Sequence, residues 1–431
     1  MKVYFHTLGC KVNRYETERM LEGLQAIGFV LTEQAETADL VVVNSCTVTA
    51  ESDRKTRQLV RRYRRRNPNA ILLLTGCMPQ AFPAEAEELP ADIILGNGSQ
   101  RDVAKAVEAF LQNGTRIVAV SPHQKGERFE VGELRDFSER TRAYMKVEDG
   151  CDRGCTYCIS PKARGRVRSR LLTEIEAEAT HLAKAGFKEL VLVGINLSSY
   201  GIDTGHTLAD AVAAAAAPAG IERVRLGSLE PDLTDDALLR ALREIPEFCP
   251  QFHLSLQSGC NATLKRMNRL YTAEEYRRVV EAIRRLWQNA SITTDIMVGF
   301  VGETEQEFAE SVAFAQSIGF LKAHIFPYSL RNGTAAASMT GHIEESIKAE
   351  RAAKMAAACD AASAEMLQRL CGEIRTVLFE RSENGFTEGY SEDYIRVFLP
   401  EDDTRCGRIC LVRLVEPMAD GMRGEICVAT E

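Results

Sequence analysis

Three cysteines stand at Cys151, Cys155 and Cys158 within the run Cys-Asp-Arg-Gly-Cys-Thr-Tyr-Cys, separated by three residues and then two. Thiolates this close in one loop suit a cubic iron–sulfur cluster in which each cysteine ligates a different iron. A four-iron cluster held by three cysteines keeps one iron free of protein ligands. That iron can bind and activate a substrate or cofactor, whereas a fully ligated cluster only relays electrons. A zinc site and a chance gathering of buried thiols are the competing readings. Zinc prefers four ligands in paired spacings, and no further Cys or His lies nearby in the chain.

A second set of three is spread more widely. Cys10, Cys46 and Cys77 each fall just past a short apolar run, namely Val3–Leu8, Leu40–Asn44 and Ile71–Thr75, with a fourth run at Ile93–Leu95. Between the runs, Glu16–Ile27, Asp53–Arg66 and Asp102–Leu111 carry apolar residues at helical spacing. Such alternation predicts a parallel sheet covered on both faces, with the C-terminal ends of its strands along one ligand-binding edge. Three cysteines on that edge could converge into another three-thiolate site. The alternative is that each is a small buried hydrophobe at a strand end.

The CxxxCxxC spacing with an aromatic before the last cysteine resembles the signature of the radical S-adenosylmethionine (SAM) superfamily. The resemblance implies Cys151, Cys155 and Cys158 as ligands of a [4Fe-4S] cluster whose open iron is chelated by SAM, with Tyr157 near the adenine. Reductive cleavage of SAM to a 5′-deoxyadenosyl radical would be the cofactor's chemistry, oriented and shielded by the protein. The segments TLGCKVNRYETE, VVNSCTVTAESDRKTR and LLTGCMPQ are similar to the N-terminal domain of the methylthiotransferases. That similarity implies a second [4Fe-4S] cluster on Cys10, Cys46 and Cys77, with Asn13, Asn44 and Ser45 as neighbours.

Six further strand-like runs, Ala143–Val147, Leu190–Val193, Val224–Gly227, His253–Leu256, Ile292–Val298 and Ala323–Tyr328, alternate with helical segments. The helices are expected at Glu174–Ala185, Asp235–Arg243, Ala273–Arg285 and Glu305–Ile318. Repeated β–α units point to a parallel barrel with its functional loops at the strands' C-terminal ends; the resemblance implies an open six-unit (β/α)6 barrel. Gly194, Asn196 and Ser198 lie in the turn after the second strand, where the superfamily places the SAM amino group, although such a turn alone is weak. Glu230 ends the third strand, where it could meet a ribose hydroxyl or the SAM ammonium, or merely cap the next helix. The segments HLSLQSGCNATLKRMNRLYT, TTDIMVGFVGETEQEF and FPYSLRNGTAAASM look like the same family and nominate Gln257, Arg269, Asp295 and Ser329 as pocket lining. Gly154, Ser160, Cys260, Val301 and Ala335 depart from the family's usual pattern without removing a cluster ligand.

The chain of 431 residues, 45% hydrophobic and 26% charged, is long enough for several packed domains. The expected division is residues 1–120, a Rossmann- or flavodoxin-like parallel sheet; 121–140, a polar linker; 141–365, the partial barrel; and 366–431, a small antiparallel barrel. The last part follows an alanine-rich helix at Ala349–Leu370 and holds five β-like segments: Thr376–Glu380, Gly385–Tyr390, Tyr394–Leu399, Ile409–Val415 and Gly424–Ala429. It resembles the RNA-binding TRAM domain in place and look. No run of about 18 apolar residues and no apolar leader is present, so the expectation is a cytoplasmic protein away from membranes. Thirteen cysteines in a reducing compartment favour metal or catalytic use over disulfides.

The net charge of −8 does not by itself suggest a nucleic-acid binder, so that case rests on local patches. Arg54, Lys55, Arg57, Arg61, Arg62, Arg64, Arg65 and Arg66 crowd one helix beside the apolar residues Leu59, Val60 and Tyr63, and read either as a solvated face or as phosphate contacts. Lys162, Arg164, Arg166, Arg168 and Arg170 alternate after the cluster loop and, if extended, would line one face of a groove toward substrate phosphates. From Leu370 to Glu431 seven basic residues face thirteen acidic ones, so that barrel should touch RNA only through a few groups such as Arg375, Tyr394 and Arg396. Cys371, Cys406, Cys410 and Cys427 read as ordinary thiols.

Two open-iron sites imply two tasks, radical formation from SAM and the holding of a sulfur atom for delivery. The resemblance therefore implies a methylthiotransferase: radical sulfur insertion at a C–H bond, with methylation of that sulfur from a second SAM. TLGCKVNRYETE is nearer to the branch acting on tRNA whose anticodon stem-loop bears N6-threonylcarbamoyladenosine at position 37, which implies C2 methylthiolation there. A reducing electron donor and a sulfur donor would be needed. The rivals are isopentenyladenosine tRNA or an aspartate of ribosomal protein S12 as substrate, and a non-catalytic iron–sulfur electron carrier or redox-sensing RNA-binding protein.

Overall fold

The computed structural model describes residues 1–129, Gly132, Leu134, Arg135, Phe137 and 141–427. The N-terminal strands form one parallel sheet in the order Val30–Leu31, Lys2–Thr7, Leu40–Ser45, Ile71–Gly76, Ile93–Leu95 and Ile117–Ala119. Both central strands are buried along their whole length, as continuous apolar runs in a doubly covered sheet must be. Alternate side chains feed two cores. Val41, Val43, Leu72 and Leu74 pack with Val60 and Tyr63 of the Ala50–Arg66 helix. Leu40, Val42 and Leu73 face Leu24, Val103 and Val107 on the other side. The edge strands Val30–Leu31 and Ile117–Ala119 are additions to the four expected, and the first helix, Lys11–Ala26, begins five residues before the expected Glu16.

The central strands are parallel and form a six-position open barrel. One sheet runs Arg223–Leu226, Glu189–Val193, Arg142–Lys146, and the other runs Ser228–Leu229, Gln251–Leu254, Ser291–Val298, Lys322–Pro327. The expected third strand is split at Gly227, where an added Cβ would stand 3.2 Å from the Leu192 carbonyl oxygen. Among the described residues Arg142–Lys146 and Lys322–Pro327 do not pair, which leaves the barrel open along that side. Three flanking helices start with capping boxes that the sequence spells out: Thr207 with Asp210, Thr272 with Glu275 and Thr304 with Glu307. Each cap contributes about 1 kcal/mol.

Of the polar stretch 121–140, Glu130, Val131, Glu133, Asp136 and residues 138–140 lie outside the described residues. Leu134 and Phe137 within it are buried in the central core.

The helix Glu345–Arg369 runs back along Lys322–Pro327 and leads into a closed barrel ordered Ile374–Glu383, Phe386–Ser391, Arg396–Pro400, Gly421–Ile426, Ile409–Met418. Of the expected last strand Gly424–Ala429, Val428 and Ala429 lie outside the described residues. Val377, Phe379, Val397, Val412, Leu414 and Met422 fill its interior. This small barrel closes the N-terminal ends of the central strands. Arg223 donates to the carbonyls of Thr376 and Tyr390 at 2.7 and 3.1 Å, and Arg225 to those of Ser391 and Glu392 at 3.1 and 3.0 Å.

The three residues expected to meet RNA are engaged within the protein. Arg375 is buried against Asp393 at 2.9 Å. Tyr394, in the left-handed region at φ 69°, stacks on Tyr390 at 4.7 Å with the Arg142 and Arg225 guanidiniums over its ring. Arg396 pairs with Glu388 and Asp420. An acidic small barrel needs these cations for its own cohesion and docking. Among the described residues no helix is long and apolar enough to cross a membrane.

Candidate active site between two cysteine triads

All three N-terminal cysteines sit at one edge of the first sheet. Cys10 caps the Lys11–Ala26 helix, Cys46 follows Leu40–Ser45, and Cys77 opens the short Cys77–Ala81 helix after Ile71–Gly76. Gly9, at φ 111°, lets the first loop approach the second; a Cβ there would lie 2.8 Å from that of Cys46. The expected neighbours tie the loops together. Asn13 Nδ2 donates to Asn44 Oδ1 and to the Ser45 carbonyl, both at 3.2 Å, and the Cys10 thiol donates to Asn13 Oδ1 at 3.4 Å. Ser45 Oγ accepts from the Met78 amide at 3.2 Å. Burial pushes the Cys77 thiol up to about 12; the Arg164 guanidinium opposes this and the nearby Cys46 and Cys10 sulfurs add to it. The three thiols thus lie within electrostatic reach of one another.

The second triad occupies the loop after Arg142–Lys146. The Cys151 amide donates to the Gly165 carbonyl at 3.0 Å, and the amides of Arg153 and Ser160 point at the sulfurs of Cys151 and Cys158 at 3.5 and 3.4 Å. Burial raises the Cys151 thiol to about 12, and neighbouring Cys158 and Cys155 reinforce it. Tyr157 packs edge-on against Phe300 at 6.2 Å, beneath the loop.

Arg269 joins several of the expected residues. It donates to the Cys155 sulfur at 3.2 Å, pairs with the Glu230 carboxylate and covers the Tyr271 ring at 5.0 Å. The Glu230 amide donates to Ser198 Oγ at 2.8 Å, and the Glu230 side chain makes no helix-cap hydrogen bond, so the capping alternative falls. Gly194 lies against Glu148, whose Oε2 accepts from the Asn196 amide at 2.7 Å. Glu148 Oε1 and Asn196 Oδ1 are buried without partners, and burial beside Asp149 holds the Glu148 carboxyl well above the usual range. Gln257, at φ 63°, turns back so that its amide donates to the Asp295 carbonyl at 2.8 Å. The Asp295 carboxylate stands 3.3 Å from His253 Nε2 and, with Cys10, Lys11 and Gly194, lines a cavity of about 510 Å³ in the barrel lumen. Ser329 is elsewhere: its Oγ accepts from the Ala50 amide at 3.0 Å and holds the start of the Ala50–Arg66 helix.

A buried ionic network connects the two triads. Arg164, 1% exposed, donates through Nε to the Cys77 sulfur at 3.2 Å and grips both oxygens of Glu16. Lys146 bridges Glu16 at 2.8 Å and Asp149 at 2.7 Å, two residues before Cys151, and Arg168 reaches Asp149 at 3.2 Å. Arg170 is fully buried on Glu178 at 2.9 Å. The alternating run after the cluster loop is therefore no phosphate-facing strand. Ser160–Arg164 is helical, and Arg164, Arg168 and Arg170 are internal, because three buried carboxylates require counter-ions. On the Ala50–Arg66 helix, Arg64 is occupied by Asp92 and the carbonyls of Pro68, Ala70 and Pro90, and Arg54, Arg57 and Arg66 pair with Glu51, Glu85 and Glu36. Arg61, Arg62 and Arg65 remain around a shallow groove with His6, Gln58 and Lys55, the last of which pairs with Glu51 at 3.8 Å.

The donor sets fit iron–sulfur clusters. All thirteen cysteines are unpaired, and each triad has amide or guanidinium donors directed at its sulfurs. Among the described residues no three His, Cys, Asp or Glu side chains converge as one ion would require. A cluster asks for something else, since each thiolate meets a separate iron. The orphaned oxygens of Glu148 and Asn196 are unmet acceptor sites at the strand end expected to receive an ammonium.

Sequence reading passed over Glu16, Lys146, Glu148 and Asp149. The available signal was their position: charged residues at strand and helix positions whose pattern predicts burial.

Comparison with known proteins adds an independent finding. The model of Uncharacterized protein family UPF0004 matches residues 2–96, and that of the Radical SAM superfamily matches residues 145–315. The chain is 39% identical over 396 residues to the threonylcarbamoyladenosine tRNA methylthiotransferase MtaB of Thermotoga maritima, covering 91% of this chain and 90% of that protein. It is 35% identical to the protein of the same name from Bacillus subtilis, covering 96% and 94%. The tRNA-2-methylthio-N(6)-dimethylallyladenosine synthase of a Thermoanaerobacter species is 32% identical, covering 98% and 93%. Among solved structures, the radical SAM methyltransferase TsrM from Kitasatospora setae, with cobalamin and a [4Fe-4S] cluster bound, superposes at a TM-score of 0.55 and 15% identity, covering 78% of this chain and 77% of that one. That likeness concerns the fold alone.

Proposed function

The chain belongs to the radical SAM methylthiotransferase family, and from that premise we propose that it converts N6-threonylcarbamoyladenosine at position 37 of tRNA to its 2-methylthio derivative. The observation that carries the reading is the pair of cysteine triads on one interface, joined by Arg164 and the Lys146–Asp149 pair. Identity to relatives named for this substrate, over nine-tenths or more of both chains, supports the choice of nucleoside.

In this reading Cys151, Cys155 and Cys158 hold one [4Fe-4S] cluster, and Cys10, Cys46 and Cys77 hold a second. SAM bound at the first supplies a carbon radical, and methyl transfer from SAM completes the thioether. The protein's own contribution is placement. Arg269 fixes Cys155 and Glu230 with one guanidinium, and Ser198 fixes the Glu230 backbone. Asn196 and Glu148 would present acceptors to the SAM ammonium, beside the close approach that Gly194 permits. The small barrel and the first helix wall the lumen, which limits the water that can reach a radical there. A reducing electron donor and a sulfur donor complete the requirement, and the cytoplasm is where tRNA, reductant and free thiols meet.

Nucleoside mass spectrometry of total tRNA from cells lacking the gene, beside the parent strain, tests this. Loss of 2-methylthio-N6-threonylcarbamoyladenosine with accumulation of its unthiolated precursor is the expected result. Persistence of that nucleoside with loss of the isopentenyl counterpart would overturn the substrate and leave the chemistry.

A further inference from the structure

Lys11 directly follows Cys10 and is the first residue of its helix. Its side chain lines the 510 Å³ lumen cavity, within electrostatic reach of Tyr394, His324, Arg142, Arg225 and Glu189. Each carboxylate facing that space already has a side-chain partner. Glu189 is held by Arg225 at 3.0 Å, with Arg142 and Arg223 at 3.7 and 3.5 Å. Asp295 stands against His253, and Asp420 against Arg396 at 2.8 Å and Lys322 at 3.5 Å. The Lys11 ammonium has no hydrogen-bond or ion-pair partner among the described residues. Arg14, one turn on, stands exposed at the cavity mouth. A half-buried ammonium without an anion is poorly compensated unless a ligand supplies one, so the lumen is built with cationic charge to spare.

We propose that Lys11 receives the carboxylate of the threonyl group on the substrate nucleoside, and that this ion pair selects N6-threonylcarbamoyladenosine over uncharged N6 substituents. The inference rests on the substrate reading above and deepens it. C2 and C6 of adenine both flank N1, so a base with C2 held near Cys10 sends its N6 substituent one ring-width away, into the cavity that Lys11 faces. An isopentenyl group brings no charge and would leave the ammonium unpaired, which is the kind of mismatch that discriminates most strongly between substrates.

The test uses the reconstituted full-length enzyme and three anticodon stem-loops, bearing N6-threonylcarbamoyladenosine, its methyl ester, or isopentenyladenosine. Both stem-loop affinity and kcat/KM for methylthiolation are measured. The wild type should prefer the acid over the ester by about 30-fold, the value of one charged hydrogen bond. Lys11→Met should abolish that preference by losing the acid alone, and Lys11→Arg should keep most of it. Iron content and the visible spectrum of each variant establish that the neighbouring cluster site is intact, and the ester comparison on the wild type needs no variant at all. Equal binding of acid and ester by the wild type overturns the assignment. So does a Lys11→Met enzyme that loses SAM affinity but keeps its acid-to-ester ratio, because the ammonium would then serve the methionyl carboxylate. A wild type active only on the isopentenyl stem-loop overturns the substrate reading itself, a result distinct from a failed lysine.

Discussion

Arg164 donates its Nε–H to the sulfur of Cys77 at 3.2 Å while its other nitrogens hold both oxygens of Glu16. The arginine comes from the short helix directly behind the Cys151–Cys158 loop, and Cys77 belongs to the other domain. One side chain therefore touches the N-terminal triad and sets the seat of the central one. The apolar seam of Cys77, Ala81, Ile159 and Ala163 packs beside it, so the guanidinium is screened from water and its contacts are correspondingly strong.

The substitution Arg164→Met leaves the buried Glu16 with Lys146 alone. Removing one partner of a buried ion pair typically costs about 3–5 kcal/mol, and that loss is expected in chemical or thermal unfolding of the protein. Arg164→Lys should recover only part of it, since an ammonium cannot span a carboxylate and a sulfur together. If the N-terminal triad holds a cluster, its spectroscopic signature should shift in either variant relative to that of the central one. An unfolding midpoint and spectrum unchanged by the methionine substitution would count against the coupling.

Cys155→Ala should abolish reductive cleavage of SAM to 5′-deoxyadenosine, whereas Cys46→Ala should spare that cleavage and abolish sulfur insertion. Chromatography of the SAM products beside mass spectrometry of the tRNA reads both. A fully active Cys46→Ala enzyme would remove the second cluster from the scheme.

Glu189 anchors the inner end of the lumen. Burial works against its charge, yet Arg225 and Arg142 outweigh that and hold its carboxyl down at about 2, against an ordinary 4.5. A carboxylate depressed in the folded state stabilises above its unfolded pKa and loses that contribution as pH falls through the folded one. Wild type should therefore exceed Glu189→Gln in stability by a constant margin above about pH 4.5, and the margin should shrink as pH falls toward 2. Melting curves of both proteins across that range, followed by circular dichroism, give the comparison. A margin independent of pH would show that the carboxylate charge is not what holds the two barrels together.

On the Ala50–Arg66 helix, Arg61, Arg62 and Arg65 are the arginines without carboxylate partners among the described residues. If they meet the tRNA backbone, changing all three to glutamine should lower the slope of log affinity against log salt by about 2 to 3, close to one per lost phosphate contact. Filter binding at several salt concentrations gives the slope. An unchanged slope identifies the run as a solvated face. Changing Arg64 should instead cost stability without affecting the slope, because its guanidinium is already occupied by Asp92 and three carbonyls.

Much of the architecture could be read along the chain because it is recorded locally. Cys151, Cys155 and Cys158 are confined to one loop by eight residues of covalent chain, whatever surrounds them. The apolar runs ending at Asn44 and Thr75 show period and length enough to mark buried parallel strands, and a parallel sheet then brings Cys10, Cys46 and Cys77 to one edge. Thr272 and Thr304 announce their helices through a glutamate three residues on.

The charged residues followed another rule. Arg164, Arg168 and Arg170 looked like a ladder for phosphates, and Arg375 and Tyr394 like a surface for RNA, because charge in a sequence carries no address for its partner. Arg164 and Glu16 stand 148 positions apart, and only folding brings such a carboxylate into contact and removes the water between. Lys11 shows the converse. Its neighbours in sequence are a thiol and a valine, and nothing local marks it as a cation left unpaired in a lumen. That follows from the placement of three separate domains around one cavity, where the balance of charge is settled by which side chains are brought inside.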